Sequence, residues 1–418
     1  MLAHILLAAI VGVSILLMLV RPRGIAEVWW IGGGALLLVT LRLMPLRLAG
    51  RAIAQGSDVY LFLIGMMLLS ELASEQGVFD WMSSLAVRRA GGSCVRLFTL
   101  VYAIGTLVTV FMSNDATAVV LTPAILAAVR KSKVQPLPYL FACALIANAA
   151  SFVLPISNPA NLVVFHPGMP PLAHWLADFG VPSLLSIAAT YLVMRVLFHE
   201  SLACRIEHAV ESADLTGNGK LVLAGLAMMI AVLLTASALG KDLGLPTCIA
   251  ALVLTAVVSI RARSNPLSLA KEISWGTIAL VAGLFIMVSA VQSIGALRYT
   301  QAALAWLQGL ALAAGVFVTG FAVGIANNLI NNLPLGLIAA GTLQASHAQG
   351  LIANAVLIGI DLGPNLSVTG SLATILWLLA LRKEGLNVTF WQFFKLGAVA
   401  MPIALAAALA GAVLLHSR

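Results

Sequence analysis

Four short runs of this sequence concentrate side chains that can trade hydrogen bonds with a small polar cargo. The first is Ser113-Asn114-Asp115-Ala116-Thr117, and the second is Asn327-Asn328-Leu329-Ile330-Asn331-Asn332-Leu333-Pro334. The third is Pro155-Ile156-Ser157-Asn158-Pro159-Ala160-Asn161. The fourth is Asp361-Leu362-Gly363-Pro364-Asn365, continued by Ser367, Thr369, Ser371 and Thr374. Asn148, shortly before the third run, belongs with the set. Amides and hydroxyls both donate and accept, so a pocket lined by them can hold an uncharged polar molecule. No Lys or Arg occurs in the runs, so the guanidinium fork suited to carboxylate or phosphate is missing. The alternative is that these residues only cap helices and hold them together, as polar side chains do inside membranes.

Two carboxylates fall within the runs, Asp115 and Asp361. A charge at bilayer depth costs about 2.5–3.5 kcal/mol on insertion scales. Such a group is expected to carry a proton at some stage of a cycle, which points to proton coupling. Capping of a half-helix is the alternative for Asp115, and a place at a pocket rim is the alternative for Asp361.

The chain around these runs is apolar. Of 418 residues 61% are hydrophobic and 9% charged, with a mean hydropathy of +1.05. Soluble domains carry roughly 25% charged residues. A water-soluble fold is excluded, and the net charge of +8 reports topology rather than nucleic-acid binding. Spans of about 20 residues read at 26–44, 57–74, 175–198, 220–238, 244–262, 274–293 and 392–415. Met1–Val20 reads as a retained first span, because it lacks the basic start and small-residue cleavage site of a signal peptide. Two stretches, 96–165 and 311–381, are too broken by Asn, Ser, Thr, Pro and Gly to parse as simple spans.

Those stretches repeat one another. Gly65 and Gly77 align with Gly283 and Gly295 at a shift of 218, which also carries Ser113-Asn114 onto Asn331-Asn332. LIANA at 145–149 recurs at 351–355, and SNPANLV at 157–163 aligns with GSLATIL at 370–376. If 96–130 and 311–347 are re-entrant hairpins, each half makes five crossings, and an odd number inverts the second half. The fold class expected is an all-α polytopic membrane protein. It would be an inverted repeat of 5+5 transmembrane helices with two re-entrant hairpins and two discontinuous helices, the build of secondary transporters.

This layout places 17 of the 23 Lys and Arg residues on one side, Arg21, Arg96, Arg130, Arg205 and Arg382 among them. The other six are Arg42, Arg47, Arg51, Lys241, Arg298 and Arg418. The positive-inside rule makes the first side cytoplasmic and puts both termini outside. The first repeat would be 1–198, with scaffold 1–56 and 175–198 around a transport unit 57–165. A cytoplasmic linker, 199–219, would lead to the second repeat, 220–418, with scaffold 220–262 and 392–418 around a transport unit 274–381.

The remaining reactive residues offer less. Four cysteines, Cys94, Cys143, Cys204 and Cys248, stand singly, so neither a disulfide framework nor a metal site is expected. Cys143 reads as a small buried residue. The histidines His4, His166, His174, His199, His208, His347 and His416 fall near span ends and read as interfacial. Glu71 and Asp58 are further candidates on the third span, while Asp178, Asp214, Glu200, Glu207 and Glu211 read as solvated. No nucleophile–base pair or phosphate-binding glycine loop is visible, so neither an enzyme nor a cofactor is expected.

At the level of its motifs the sequence resembles the arsenite efflux permeases, the ArsB family of the ion-transporter superfamily. The resemblance is carried by SNDATAVVLTP at 113–123, SNPANL at 157–162, NNLINNLP at 327–334 and GPNLSVTGSLATILW at 363–377. It implies export of arsenite and antimonite from the cytoplasm across a bacterial inner membrane, in exchange for protons. Both metalloids are chiefly uncharged trihydroxides near neutral pH, which suits a pocket of Asn, Ser and Thr. The residues expected to hold cargo, from the convergence of the four broken runs on one midplane pocket, are Ser113, Asn114, Thr117, Asn148, Ser157, Asn158, Asn161, Asn327, Asn328, Asn331, Asn332, Asn365, Thr369, Ser371 and Thr374. Two rivals remain open. One is a sodium/proton antiporter or anion/dicarboxylate carrier of the same fold. The other is the membrane subunit of an ATP-driven pump, whose soluble arsenite-stimulated ATPase would be a separate chain.

Overall fold

A computed structural model describes residues 2–165, 168–206 and 214–416. His166, Glu207, His208, Glu211 and Arg418 lie outside the described residues. Among the described residues the regular structure is helical apart from one isolated bridge between Ser93 and Arg205. The first half runs α1 Leu2–Val20, α2 Glu27–Thr40, α3 Leu46–Gln55, α4 Ser57–Glu75, α5 Val78–Arg89 and α6 Cys94–Phe111. It continues with α7 Asn114–Ala116, a π turn over Thr117–Leu121, α8 Thr122–Lys131, α9 Leu137–Ala149, α10 Pro159–Val164, α11 Leu172–Leu197 and α12 His199–Leu202. The second half has α13 Gly217–Ala238, α14 Gly244–Ala262, α15 Pro266–Glu272, α16 Trp275–Ser293 and α17 Leu297–Gln308. It ends with α18 Leu312–Ile330, α19 Asn332–Ala345, α20 Leu351–Leu362, α21 Leu372–Lys383 and α22 Phe390–His416. Nine described helices, α1, α4, α6, α11, α13, α14, α16, α18 and α22, are long and apolar enough to cross a bilayer.

Element order is the same in both halves, and the aligned glycines show why. Gly77 and Gly295 both take φ near +71°, at 71° and 72°. There they turn α4 into α5 and α16 into α17, a backbone conformation that costs glycine least. Gly65 lies where α4 meets α14: a Cβ there would stand 2.9 Å from the backbone of Thr247 and Cys248. Gly283 lies where α16 meets α2, and its Cβ would stand 2.8 Å from Ile31 Cγ2. One glycine per half thus lets a third span press on a second span of the other half.

The interrupted spans also correspond, but not through LIANA. Shifting α9, the 155–157 turn and α10 by 213 lands them on α20, the 368–370 turn and α21. In that register Asn148 meets Asp361 and Asn158 meets Ser371. LIANA closes α9 but opens α20, so the five-letter identity is not a structural equivalence. Every residue of α20 is buried, as is all of α9 from Pro138 onward. A helix apolar all round has no solvent or lipid face to offer, and these two form the centre of the molecule.

Two expectations need correction. The span read at 26–44 ends at Thr40, because Arg42 takes φ 55° and Pro45 cannot continue a helix; the amphipathic α3 follows. The cysteines do not all stand singly, since Cys94 and Cys204 form a disulfide across 110 residues. Spacing gave no hint of it because the bridge joins the start of α6 to the segment after α12. Cys143 and Cys248 are free and buried. Glu27, which composition alone did not single out, is buried in an ion pair with Arg21. Burial, with Arg382 nearby, lowers the Arg21 guanidinium to about 10.

Candidate functional site

Each hairpin breaks at its tip, and each interrupted span breaks at a proline-bearing loop. Ser113 caps α7 by accepting the Ala116 N–H at 3.2 Å. Asn158 caps α10, accepting the Ala160 N–H at 3.0 Å ahead of Pro159. Ser371 caps α21, accepting the Thr374 N–H at 3.1 Å. Asn331 precedes α19 at φ 80°, ψ 153°, a strained backbone conformation outside the αL region that persists only where its surroundings impose it. Side-chain caps satisfy amide donors that a helix start leaves free, which lets a half-helix begin inside the molecule.

All four starts meet at one small cavity. It is lined by Asn114 and Asp115 of α7, Asn158 and Pro159 at α10, Asn332 and Leu333 of α19, and Leu372 and Ala373 of α21. Leu63 of α4 and Thr277 of α16 complete it. Its volume is about 10 Å³, room for about one water-sized sphere. Helix N-termini carry positive partial charge, so the cavity attracts oxygen atoms and carboxylate charge. Asn114 and Asn332, equivalent at the shift of 218, each leave a buried Oδ1 without a hydrogen-bond partner. With the Asp115 carboxylate these make three acceptors at one place.

A second cavity of about 230 Å³ adjoins the first and shares Leu63, Asp115, Pro159 and Thr277 with it. Ser70, Glu71, Ser113, Glu272 and Ser274 also line it. It extends toward the C-terminal end of α4, so the central cavity leads to that face. No Lys or Arg lines either cavity. On the other flank a cavity of about 330 Å³, lined by Gln55, Ser289, Gln292 and Gln344, shares no residue with the central one.

The remaining residues singled out from sequence surround this centre without lining it. Asp361 is fully buried at the end of α20, and its Oδ1 accepts from Asn158 Nδ2 at 2.8 Å. Its Oδ2 has no hydrogen-bond partner. Asn148 donates to Asn365 Oδ1 at 2.9 Å and lies 3.4 Å from Thr374 Oγ1. Asn365 in turn donates to the Leu145 carbonyl at 3.1 Å. Ser157 donates to the Val110 carbonyl at 2.9 Å, and Asn161 to the Ser151 carbonyl at 2.8 Å. Asn327 bonds the Ile360 carbonyl at 2.6 Å, while Asn328 bonds the carbonyls of Gly324 and Gly363 at 2.8 and 3.0 Å. Asn331 holds the Thr369 carbonyl at 3.1 Å, and Thr369 holds that of Asn328 at 3.0 Å. Thr117 and Thr109 bond each other's hydroxyls at 2.8 Å, beside the π turn. These contacts satisfy the backbone freed at the breaks, a condition for irregular chain at membrane depth.

Sequence reading missed Thr277, Ser274 and Glu272. Ser274 and Thr277 stand three apart at the start of α16 with hydroxyls 2.9 Å apart, a spacing typical of a helix start. Asp58, a candidate by sequence, accepts the Gly244 N–H at 2.6 Å and ties α4 to α14.

Comparison with known proteins agrees with this architecture. The chain is 26% identical over 413 residues to an arsenical pump membrane protein of Escherichia coli, covering 94% of this chain and 95% of that one. It is 27% identical over 352 residues to an arsenical pump membrane protein of Yersinia enterocolitica, covering 80% and 81%. Among solved structures it is similar to the YdaH transporter of Alcanivorax borkumensis, with a TM-score of 0.57 at 16% identity over 90% of this chain and 88% of that one. That likeness concerns the fold. The family described as citrate transporter matches residues 2–360, and the chain is therefore a membrane transporter belonging to that family.

Proposed function

We propose that this transporter exports arsenite and antimonite, as neutral trihydroxides, in exchange for protons. The observation that carries the reading is the set of three acceptors at the central cavity: Asn114 Oδ1, Asn332 Oδ1 and the Asp115 carboxylate. A trihydroxide brings three O–H donors, and its oxygens would accept from the helix starts once the transport units part and widen the cavity beyond its room for one water-sized sphere. Arsenate, a multiply charged anion, finds no Lys or Arg there. The relatives named arsenical pump membrane protein support the same cargo.

Exchange follows from sharing one residue. An ionised Asp115 accepts an O–H from the cargo; a proton arriving on Asp115 removes its charge and turns one of its oxygens into a donor, which weakens its hold on the cargo. The transport units, 57–165 and 274–381, would move together against a scaffold of the other spans. The Arg-rich side would face the cytoplasm and both termini the outside. In this arrangement the 230 Å³ cavity is the inward route.

A second reading is an anion carrier. Four helix starts around one cavity favour negative charge, and the family's description names citrate. Purified protein in liposomes tests both. Under the proposal, an imposed proton gradient drives arsenite uptake into inverted vesicles, and sodium or citrate neither drives nor competes. Citrate movement with indifference to arsenite would replace the first reading by the second.

A further inference from the structure

Cys94 and Cys204 are bonded with their Cα atoms 5.6 Å apart. Contacts other than the sulfur bond also hold them there. Ser93 and Arg205 form an antiparallel bridge, and the Ile206 N–H donates to the Gly92 carbonyl at 2.9 Å. The Tyr139 hydroxyl donates to the Cys94 carbonyl at 3.2 Å. Reduction therefore leaves two thiols side by side rather than setting them free. Cys94 is the first residue of α6, Cys204 is exposed, and Arg96 and Arg205 are near neighbours in sequence. Cys94 is buried and Cys204 exposed, so the Cys204 sulfur is the one that reagents in solution reach. The pair lies on the Arg-rich face, and if that face is cytoplasmic its thiols are kept reduced.

We infer that the reduced Cys94–Cys204 pair is a second binding site, separate from the central cavity, for a thiophilic trivalent metalloid. Its ligand is named by the arsenite reading of the central cavity, and on that reading it rests. A low-molecular-weight thiol opens the disulfide: two of its molecules become its own disulfide, and two protons pass to Cys94 and Cys204. Condensation with As(OH)3 then forms two S–As bonds, breaks two As–O bonds and releases two waters. Arsenic stays trivalent in this step, with one hydroxyl remaining on it. Cys204 lies in a non-helical segment, which can open enough to admit one atom between the sulfurs.

The test uses full-length protein in detergent, reduced with a phosphine because a dithiol reductant would itself chelate arsenic. Alkylation of each cysteine by a maleimide is followed by peptide mass spectrometry, with arsenite, with arsenate or with neither. At arsenite about ten times its dissociation constant, alkylation of the exposed Cys204 should slow about tenfold. Arsenate should leave that rate unchanged, and Cys94→Ser should remove the protection of Cys204. Equal rates with and without arsenite in the wild-type protein overturn the inference. Proton-driven transport is measured separately in liposomes. Transport without protection would keep the arsenite reading and remove this site, whereas protection without transport would keep the site and remove that reading.

Discussion

Asn158 donates its side-chain amide to Asp361 at 2.8 Å across 203 positions of sequence. The same side chain accepts the Ala160 N–H at 3.0 Å and so starts α10 at the central cavity. One amide therefore joins a buried carboxylate of the second half of the chain to the cavity wall of the first. A proton arriving on Asp361 would change what Asn158 is held by, and α10 would register it.

Replacing Asn158 with Ala should cost more than a lost cap. The cap contributes about 1 kcal/mol and a hydrogen bond to a charged group about 1.5–3 kcal/mol, and buried Asp361 loses the amide that donates to its Oδ1. Proton-driven arsenite transport should fall about tenfold or more, with the protein still inserted. Asp361→Asn in the same background should add little, since both changes break one link; fully additive losses would show the two residues act independently.

Asp115→Asn should abolish proton-coupled export while the protein still folds, because an amide keeps the shape and cannot exchange a proton. Counterflow of arsenite without a gradient should survive in part. Wild-type gradient-driven rates in this variant would remove Asp115 from the mechanism.

Much of this was legible beforehand because a membrane simplifies the problem. Spans show as long apolar runs, and backbone freed within them must be satisfied by short polar side chains. The positions of Ser113, Asn158, Asn331 and Ser371 at half-helix starts follow from that demand alone. Which side chains face the cavity did not. Asn114 and Asn161 are the same residue type in similar runs. Yet Asn114 lines the cavity, while Asn161 spends its amide on the Ser151, Leu154 and Pro155 carbonyls. That choice depends on the path of the loop, which has no periodicity to read. The disulfide was hidden for a similar reason, since its two ends meet only after seven helices, α6 to α12, have packed.

Asn114→Ala and Asn332→Ala should each weaken transport without stopping it. Either change removes one acceptor, and a hydrogen bond to neutral cargo contributes about 0.5–1.5 kcal/mol, or about 2- to 12-fold. The double variant should be nearly silent. Competition by unlabelled arsenite should show the loss as weaker apparent affinity. A double variant no worse than either single one would mean that the two amides do not share one cargo molecule.

Gly65→Ala and Gly283→Ala test whether the seams at these glycines must slide. Each added methyl would press on the facing span, at 2.9 Å from the Thr247 and Cys248 backbone for Gly65 and 2.8 Å from Ile31 for Gly283. Overpacking of this kind costs about 1–3 kcal/mol. The backbone neighbours at Gly65 cannot rotate away, whereas the Ile31 side chain can, so Gly65→Ala should be the more damaging. Gly33, with nothing within 4 Å of its Cβ position, supplies the control on a lone helix face. Both seam variants should lower the detergent melting temperature and the transport rate, and Gly33→Ala should change neither. If melting falls while the rate per folded molecule stays at the wild-type value, the seams are static contacts, and the moving parts must be divided elsewhere.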